Sequence, residues 1–400
     1  MALYSPELHE PLSGDEWSSG RARELIRRIV ADADARYSDD RLWPPSDPWD
    51  DWGGNAKLPL TSLSTGASGV AWVLSVLARR GHGEPRLDPA RVAARAHEAW
   101  IAAPDTPEQL EPPVSTHASL LMGETGPLLV ACLLAPSPER SDALHARVVA
   151  NQDNETNELF SGSPGTMVAA RALSETTGEA RWAEAWRASA RILLDRREPD
   201  GLWVYPPYGK SPGASHGLSS NAKILLAGGD LLPAETRARL RDESAAALAR
   251  TAVLERGRAN WEMAIGDGLV AWDGVIRTQW CHGGAGVVEG AAGYLEPDLL
   301  LAAAELVWEI GPPNMDKGPG ICHGTAGSGF ALLKVFERTQ DERWLERARQ
   351  FAMHAGGQVE RWRAIRGQGR TALWTGDVGA ALLVSACLDV EPALPIVDFV

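Results

Sequence analysis

The sequence predicts an all-α fold, an α/α toroid in which about seven helical hairpins close into a double ring. A Gly-x-x-Gly element, or a near relative, recurs at Gly66/Gly69, Gly123/Gly126, Gly162/Gly165, Gly217/Ser220, Gly283/Gly286, Gly324/Gly327 and Gly376/Gly379. Each copy precedes an apolar, Ala/Leu-rich stretch. The steps between first glycines, 57, 39, 55, 66, 41 and 52 residues, each have room for two helices and their loops. Two units show the duplication directly: sixteen residues after Gly165 comes Arg181-Trp182, and sixteen after Gly327 comes Arg343-Trp344. Long β-branched alternation, the mark of half-buried strands, is missing.

The elements follow in order. Residues 1–60 read as an N-terminal helical cap of the same domain, with a helix from Asp15 to about Tyr37, and residues 61–400 supply the ring. A glycine where each inner helix starts permits a tight turn and close backbone approach. The text after it, such as Thr-Met-Val-Ala-Ala-Arg-Ala-Leu behind Gly165, is apolar and rich in small residues, as an enclosed inner helix requires. The segments Arg181 to Arg187 and Arg343 to Arg349 carry charge on one face, as outer amphipathic helices do. Pro-rich text such as Trp43-Pro44-Pro45 separates elements. Closing the ring removes the ends that an open solenoid must cap, so one domain is expected.

Composition narrows the function. With 44% hydrophobic residues the chain can bury a large core. A formal charge of −14 with no Lys/Arg block argues against nucleic acid and anionic membrane surfaces as partners. The longest apolar runs, such as Leu128 to Ala135, are about half of the ~20 residues a bilayer span needs. Residues 1–14 show neither a basic start nor an apolar core, and four cysteines without framework spacing suit a reducing compartment. A cytoplasmic protein is expected.

The chemistry is carried by Cys281-His282-Gly283 and Cys322-His323-Gly324, which lie 41 residues apart in one repeat phase. In a ring, the loops that enter the inner helices gather at one mouth. Cys281 and Cys322 stand two before the first glycine of their motifs, His216, His282 and His323 one before, and Glu158 four before. Two thiols, three imidazoles and an acid should therefore meet there. Two thiolates and one imidazole would hold one zinc ion per chain with an open tetrahedral position, as catalytic sites do. Spacing leaves open which histidine binds. Cys132 and Cys387 sit in apolar helical text and read as core. His9, His82, His97, His117, His145 and His354 read as surface or packing residues, and Trp280, beside Cys281, as a cavity-wall residue.

At these residues the chain resembles the lanthionine synthetase C family. The resemblance rests on Arg277-Thr-Gln-Trp280-Cys281-His282-Gly283, Lys317-Gly-Pro-Gly-Ile-Cys322-His323-Gly324, Ala214-Ser-His216-Gly217-Leu and Leu373-Trp-Thr-Gly376-Asp-Val-Gly379, and spans roughly residues 60 to 400. It implies an α/α toroid with zinc on Cys281, Cys322 and His323, and His282 as a neighbour of the ion. It implies an enzyme that adds a thiol to dehydroalanine or dehydrobutyrine to make a lanthionine-type thioether. Candidate catalytic residues are then His216, Arg277, His282 and Glu158, with Lys317 and Trp280 as substrate contacts.

One departure refines the expectation. Peptide cyclases of the family usually have an aspartate in the third motif, where this chain reads Asn157-Glu158-Leu159-Phe160-Ser161-Gly162. That version, with Lys317, is similar to the stand-alone lanthionine synthetase C-like branch, whose animal members add glutathione. The expected partners are glutathione or a peptide cysteine as thiol, and a dehydroamino-acid peptide or protein as acceptor. Alternatives are a cyclase for a dedicated precursor peptide and a non-catalytic glutathione- or peptide-binding scaffold. A zinc prenyltransferase or a glycosidase-like α/α barrel does not fit the paired Cys-His-Gly motifs.

Overall fold

A computed structural model describes residues 2–105, 118–206, 209–266, 275–395 and 397–398. Its helices, in chain order, are α1 (Ser19–Arg36), α2 (Ala67–Arg79), α3 (Pro89–Ala102), α4 (Thr125–Leu134), α5 (Pro138–Ala150), α6 (Ser163–Thr177), α7 (Ala180–Asp195), α8 (Leu218–Ala227), α9 (Ala234–Thr251), α10 (Gly284–Ala291), α11 (Pro297–Ile310), α12 (Thr325–Thr339), α13 (Glu342–Arg366) and α14 (Asp377–Asp389). Even-numbered helices form the inner ring and odd-numbered helices the outer one. Each inner helix packs on the next, from α2 on α4 through α12 on α14, and α14 returns to α2. The fold is the all-α toroid expected from the repeats. Two short hairpins, β1 (Val204–Tyr205) with β2 (Gly209–Lys210) and β3 (Ala252–Glu255) with β4 (Arg258–Trp261), lengthen two of the steps.

The two rings divide the labour of burial. In α2 every residue from Ala67 to Leu77 is buried, and in α14 every residue from Asp377 to Cys387, so the inner helices need apolar text on all faces. Outer helices bury one stripe: α7 turns Trp182, Ala185, Trp186, Ser189, Ala190 and Leu193 inward, at the three-to-four spacing of one helical face. Helix α1 takes an outer place against α14, and Gly356 of α13 leaves room for Leu25. It begins at Ser19, a turn later than the sequence suggested, because the Ser18 hydroxyl accepts the Arg21 N–H at 3.1 Å and caps it.

The glycine motif has a specific cause. Before each inner helix the chain doubles back, so that loop carbonyls cap the helix: Leu218 N–H donates to Ser211 (2.9 Å), Thr325 to Gly318 (3.1 Å) and Asp377 to Arg370 (2.8 Å). Such a loop presses its own carbonyls onto the helix start. A Cβ at Gly286 would overlap the Trp280 carbonyl, and one at Gly327 the Ile321 carbonyl, each six residues upstream. In the degenerate unit Ser220 survives because its hydroxyl donates to the corresponding carbonyl, that of Ala214.

The loops then bond to one another around the mouth. The residues two before each first glycine link backbone to backbone: Ser64 N–H to Leu121 O (2.9 Å), Ser215 to Cys281 (3.3 Å), Cys281 to Cys322 (2.8 Å), Cys322 to Trp374 (2.8 Å) and Trp374 back to Ser64 (2.9 Å). The Ser119 hydroxyl reaches the Phe160 carbonyl, and the Asn221 amide donates to the Asn157 carbonyl at 2.8 Å, joining the remaining units.

Both ends of the chain are tied to this ring. Between Trp43, whose indole donates to the Ala33 carbonyl at 2.8 Å, and Thr61 runs a strap across the mouth. Asp50 anchors it through two bonds from Arg370 (2.8 and 2.7 Å) and one from the Thr375 hydroxyl (2.7 Å). At the other end, buried Leu394 and Val397 bring Asp398 within 3.0 Å of the Lys223 ammonium, which also pairs with Glu289.

Candidate thiol and metal site

The fifth and sixth loops bring the cysteines together. Cys281 and Cys322 are adjacent links of the backbone ring, and both are buried free thiols. Asn260 on β4 pins the fifth loop: its amide donates to the Arg277 carbonyl (3.2 Å) and the Thr278 hydroxyl (3.0 Å), and its oxygen accepts the Gly284 N–H (2.6 Å). The Cys281 thiol donates to the Gln279 amide oxygen at 3.5 Å. The adjoining Cys281, and then burial, raise the Cys322 thiol well above its ordinary range. Two sulfurs side by side cannot both become anions without a cation to share, which is the condition a divalent ion removes.

The imidazoles beside them are neutral. Burial, followed by the charges of neighbouring groups, lowers His282 and His323 to about 3, so both keep an open ring nitrogen at pH 7. The Nδ1 of His282 is buried with no hydrogen-bond partner. Two thiols and neutral imidazoles fit zinc in donor type and charge. Among the described residues, no three His, Cys, Asp or Glu side chains stand close enough to enclose an ion. What the structure presents is the pair of thiols with His323 next in the chain.

The third and fourth loops supply a proton-handling pair. His216 Nδ1 lies 2.9 Å from a Glu158 oxygen. That carboxylate is wholly buried and also accepts the N–H groups of Phe160 (2.7 Å) and Ser161 (2.6 Å). Because it can only accept when ionised, His216 donates from Nδ1, which leaves Nε2 as its working atom. Tyr205 stacks on the ring at 4.7 Å between centroids, Phe160 packs at 5.0 Å, and His282 lies 5.5 Å away.

The other expected residues divide. Arg277 and Lys317 are half-buried, Arg277 near enough to His282, and Lys317 to His323, to oppose protonation of those rings. Trp280 is corrected: it is a core residue, with no exposed surface, its indole donating to Glu289 at 3.1 Å and its edge against Trp374 at 4.9 Å. Repeat phase explains this, because the residue three before each first glycine is wholly buried in all seven units: Leu63, Leu120, Leu159, Ala214, Trp280, Ile321 and Leu373. Cys132 and Cys387 are core, and His82 and His354 pair with Asp389 (2.7 Å) and Glu10 (2.6 Å). His117 lies outside the described residues.

Sequence reasoning missed five neighbours of the site: Tyr205, Phe160, Trp374, Arg370 and Trp49. Phe160 and Trp374 occupy the same phase as the cysteines, and Arg370 the same phase as Arg277, so the repeat could have found them. Trp49 comes from the strap and had no such signal. Its ring stands 5.1 Å from that of His323.

Comparison with known proteins agrees with this architecture. A family model described as "Lanthionine synthetase C-like protein" matches residues 60–394. Among curated proteins, a "Glutathione S-transferase LANCL1" of Danio rerio is 26% identical over 264 residues, 58% of this chain and 62% of that relative's length. Among solved structures, a nisin cyclase superposes with a TM-score of 0.56 at 16% identity, covering 92% of this chain and 94% of the other. At that identity the likeness speaks to the fold. A closed toroid of seven glycine-led hairpins, paired Cys-His-Gly loops at one mouth and a family match over most of its length together make this chain a member of the lanthionine synthetase C-like family.

Proposed function

We propose that the protein is a zinc-dependent enzyme that adds a thiol across the carbon–carbon double bond of a dehydroalanine or dehydrobutyrine residue, with glutathione as the thiol. The observation that carries this reading is the meeting of two buried thiols with a half-buried His216, held by the buried Glu158 carboxylate, at one mouth. Cys281, Cys322 and His323 would hold the ion. When bound, zinc would keep an incoming sulfur anionic at neutral pH.

The chain's own residues account for the rest of the balance. The His216 Nε2 takes the proton of the incoming S–H, while Glu158 steadies the imidazolium. As the sulfur–carbon bond forms, the π electrons move toward the acceptor's amide oxygen, where the Arg277 guanidinium offsets the negative charge. The proton on His216 then returns to the α-carbon, so nothing leaves and nothing is oxidised. Lys317 would pair with a glutathione carboxylate, and the zebrafish relative's name is consistent with that thiol. Four free cysteines suit the reducing cytoplasm.

The test is mass spectrometry of a dehydroalanine peptide after incubation with the zinc-loaded protein and glutathione, which should show the gain of one glutathione. Cys322→Ala should lose the ion and the activity together, and His282→Ala should keep the ion. Full zinc occupancy in Cys322→Ala would overturn the ligand set. Addition of only the peptide's own cysteine would favour a cyclase, and zinc without any addition would favour a binding scaffold.

A further inference from the structure

We infer that the strap N-terminal to the family match completes the site, with Trp49 as the wall against which an acceptor peptide lays the apolar side chain beside its unsaturated residue. The strap lies in residues 43–60, ahead of nearly all of the segment that the family model covers. Its central turn is built to hold one side chain in place. Asp47 accepts the Trp49 N–H (2.9 Å) on its side chain and the Asp50 N–H (3.0 Å) on its carbonyl. Asp50 itself is buried and receives three bonds from the seventh loop, two from Arg370 and one from Thr375.

That loop also carries Trp374, whose carbonyl accepts the Cys322 N–H at 2.8 Å. The turn is therefore fixed to the same backbone that fixes the thiol. What it presents is an indole that is 53% exposed, set edge-on to His323. A large aromatic surface left open beside a reaction centre, on a turn held by a buried ion pair, is the arrangement that binds apolar side chains by contact. Polar main chain and reacting atoms would pass inward toward His216 and the cysteines.

The inference rests on the thiol-addition reading for the identity of the acceptor, but its test does not depend on turnover. Two unreactive pentapeptides, Gly-Leu-Ala-Leu-Gly and Gly-Ser-Ala-Ser-Gly, carry alanine in place of dehydroalanine. Calorimetry should show the zinc-loaded protein binding the leucine peptide roughly tenfold more tightly, the effect of partly burying two leucine side chains. Trp49→Ser should bring that ratio to about one, and Trp49→Phe should retain most of it. Because the indole is on the surface, neither replacement disturbs the core. A ratio near one in the wild type, or an unchanged ratio in Trp49→Ser, would overturn the inference. Loss of the preference in Trp49→Ser from a protein that forms no thioether would uphold the wall and reject the enzymatic reading.

Discussion

Glu158→Gln separates the two functions of the buried carboxylate. Glu158 accepts three hydrogen bonds, from Phe160 N–H (2.7 Å), Ser161 N–H (2.6 Å) and His216 Nδ1 (2.9 Å). A glutamine keeps one accepting oxygen. Its better orientation leaves that oxygen facing both Phe160 and His216, and turns its NH₂ toward the Ser161 N–H. One charge-assisted bond is then lost and two buried donors face each other, at a cost of about 2 kcal/mol, or roughly 2–3 °C in melting temperature for a chain of this length. The imidazolium also loses its counter-charge, so kcat for thioether formation should fall about 10²-fold while His216 keeps its tautomer. Thermal melts and mass-spectrometric initial rates at saturating thiol read the two effects separately. A melting temperature lowered as described, with kcat within threefold of wild type, would refute the proton-transfer role and leave Glu158 as a loop staple.

Lys317→Ala should raise the KM for glutathione about tenfold with a smaller change in kcat, as loss of a carboxylate partner requires; a fall in kcat at unchanged KM would count against it. Lys223→Met leaves buried Glu289 and half-buried Asp398 without their cation and should destabilise the fold by about 3 kcal/mol in denaturant titrations, part of which Lys223→Met/Glu289→Gln should restore. Asp377 is buried, and burial raises its carboxyl to about 7 from an ordinary 3.8, so between those values the folded state holds a proton that the unfolded chain has released. Its contribution to stability therefore grows as pH falls through 7, and Asp377→Asn should gain in melting temperature relative to wild type more at pH 8 than at pH 5. A difference that does not change with pH would remove burial as the cause.

The ring was legible because each hairpin repeats one loop geometry, and that geometry requires glycine at one fixed point and glycine, or in one unit Ser220, at a second. Phase alone brought Cys281, Cys322 and the three histidines to one mouth. It did not show that Glu158 and His216, 58 residues apart, bond directly, since that depends on side-chain length and on the two backbone N–H groups that turn the carboxylate. Adjacency to Cys281 does not place Trp280 on the cavity, because its own phase, three before a glycine, is wholly buried in every unit. Trp49 was not legible at all: it belongs to no repeat, and the bonds from Arg370 and Thr375 to Asp50, joining residues 320 and 325 positions apart, bring it beside His323.

The run of backbone hydrogen bonds along the mouth has one more consequence. Small metal-binding domains often draw their folding free energy from the ion, so that chelation unfolds them. In this chain the two cysteine backbones are aligned by amide–carbonyl bonds at 2.8 Å whose partners run on through Trp374 to Ser64, on the far side of the sequence. The conformational entropy of bringing the thiols together is thus lost when the helices assemble, before any ion arrives. The scaffold would therefore not need an ion in order to fold, and a chelator that removed one from these thiols would leave the helical ring around them folded.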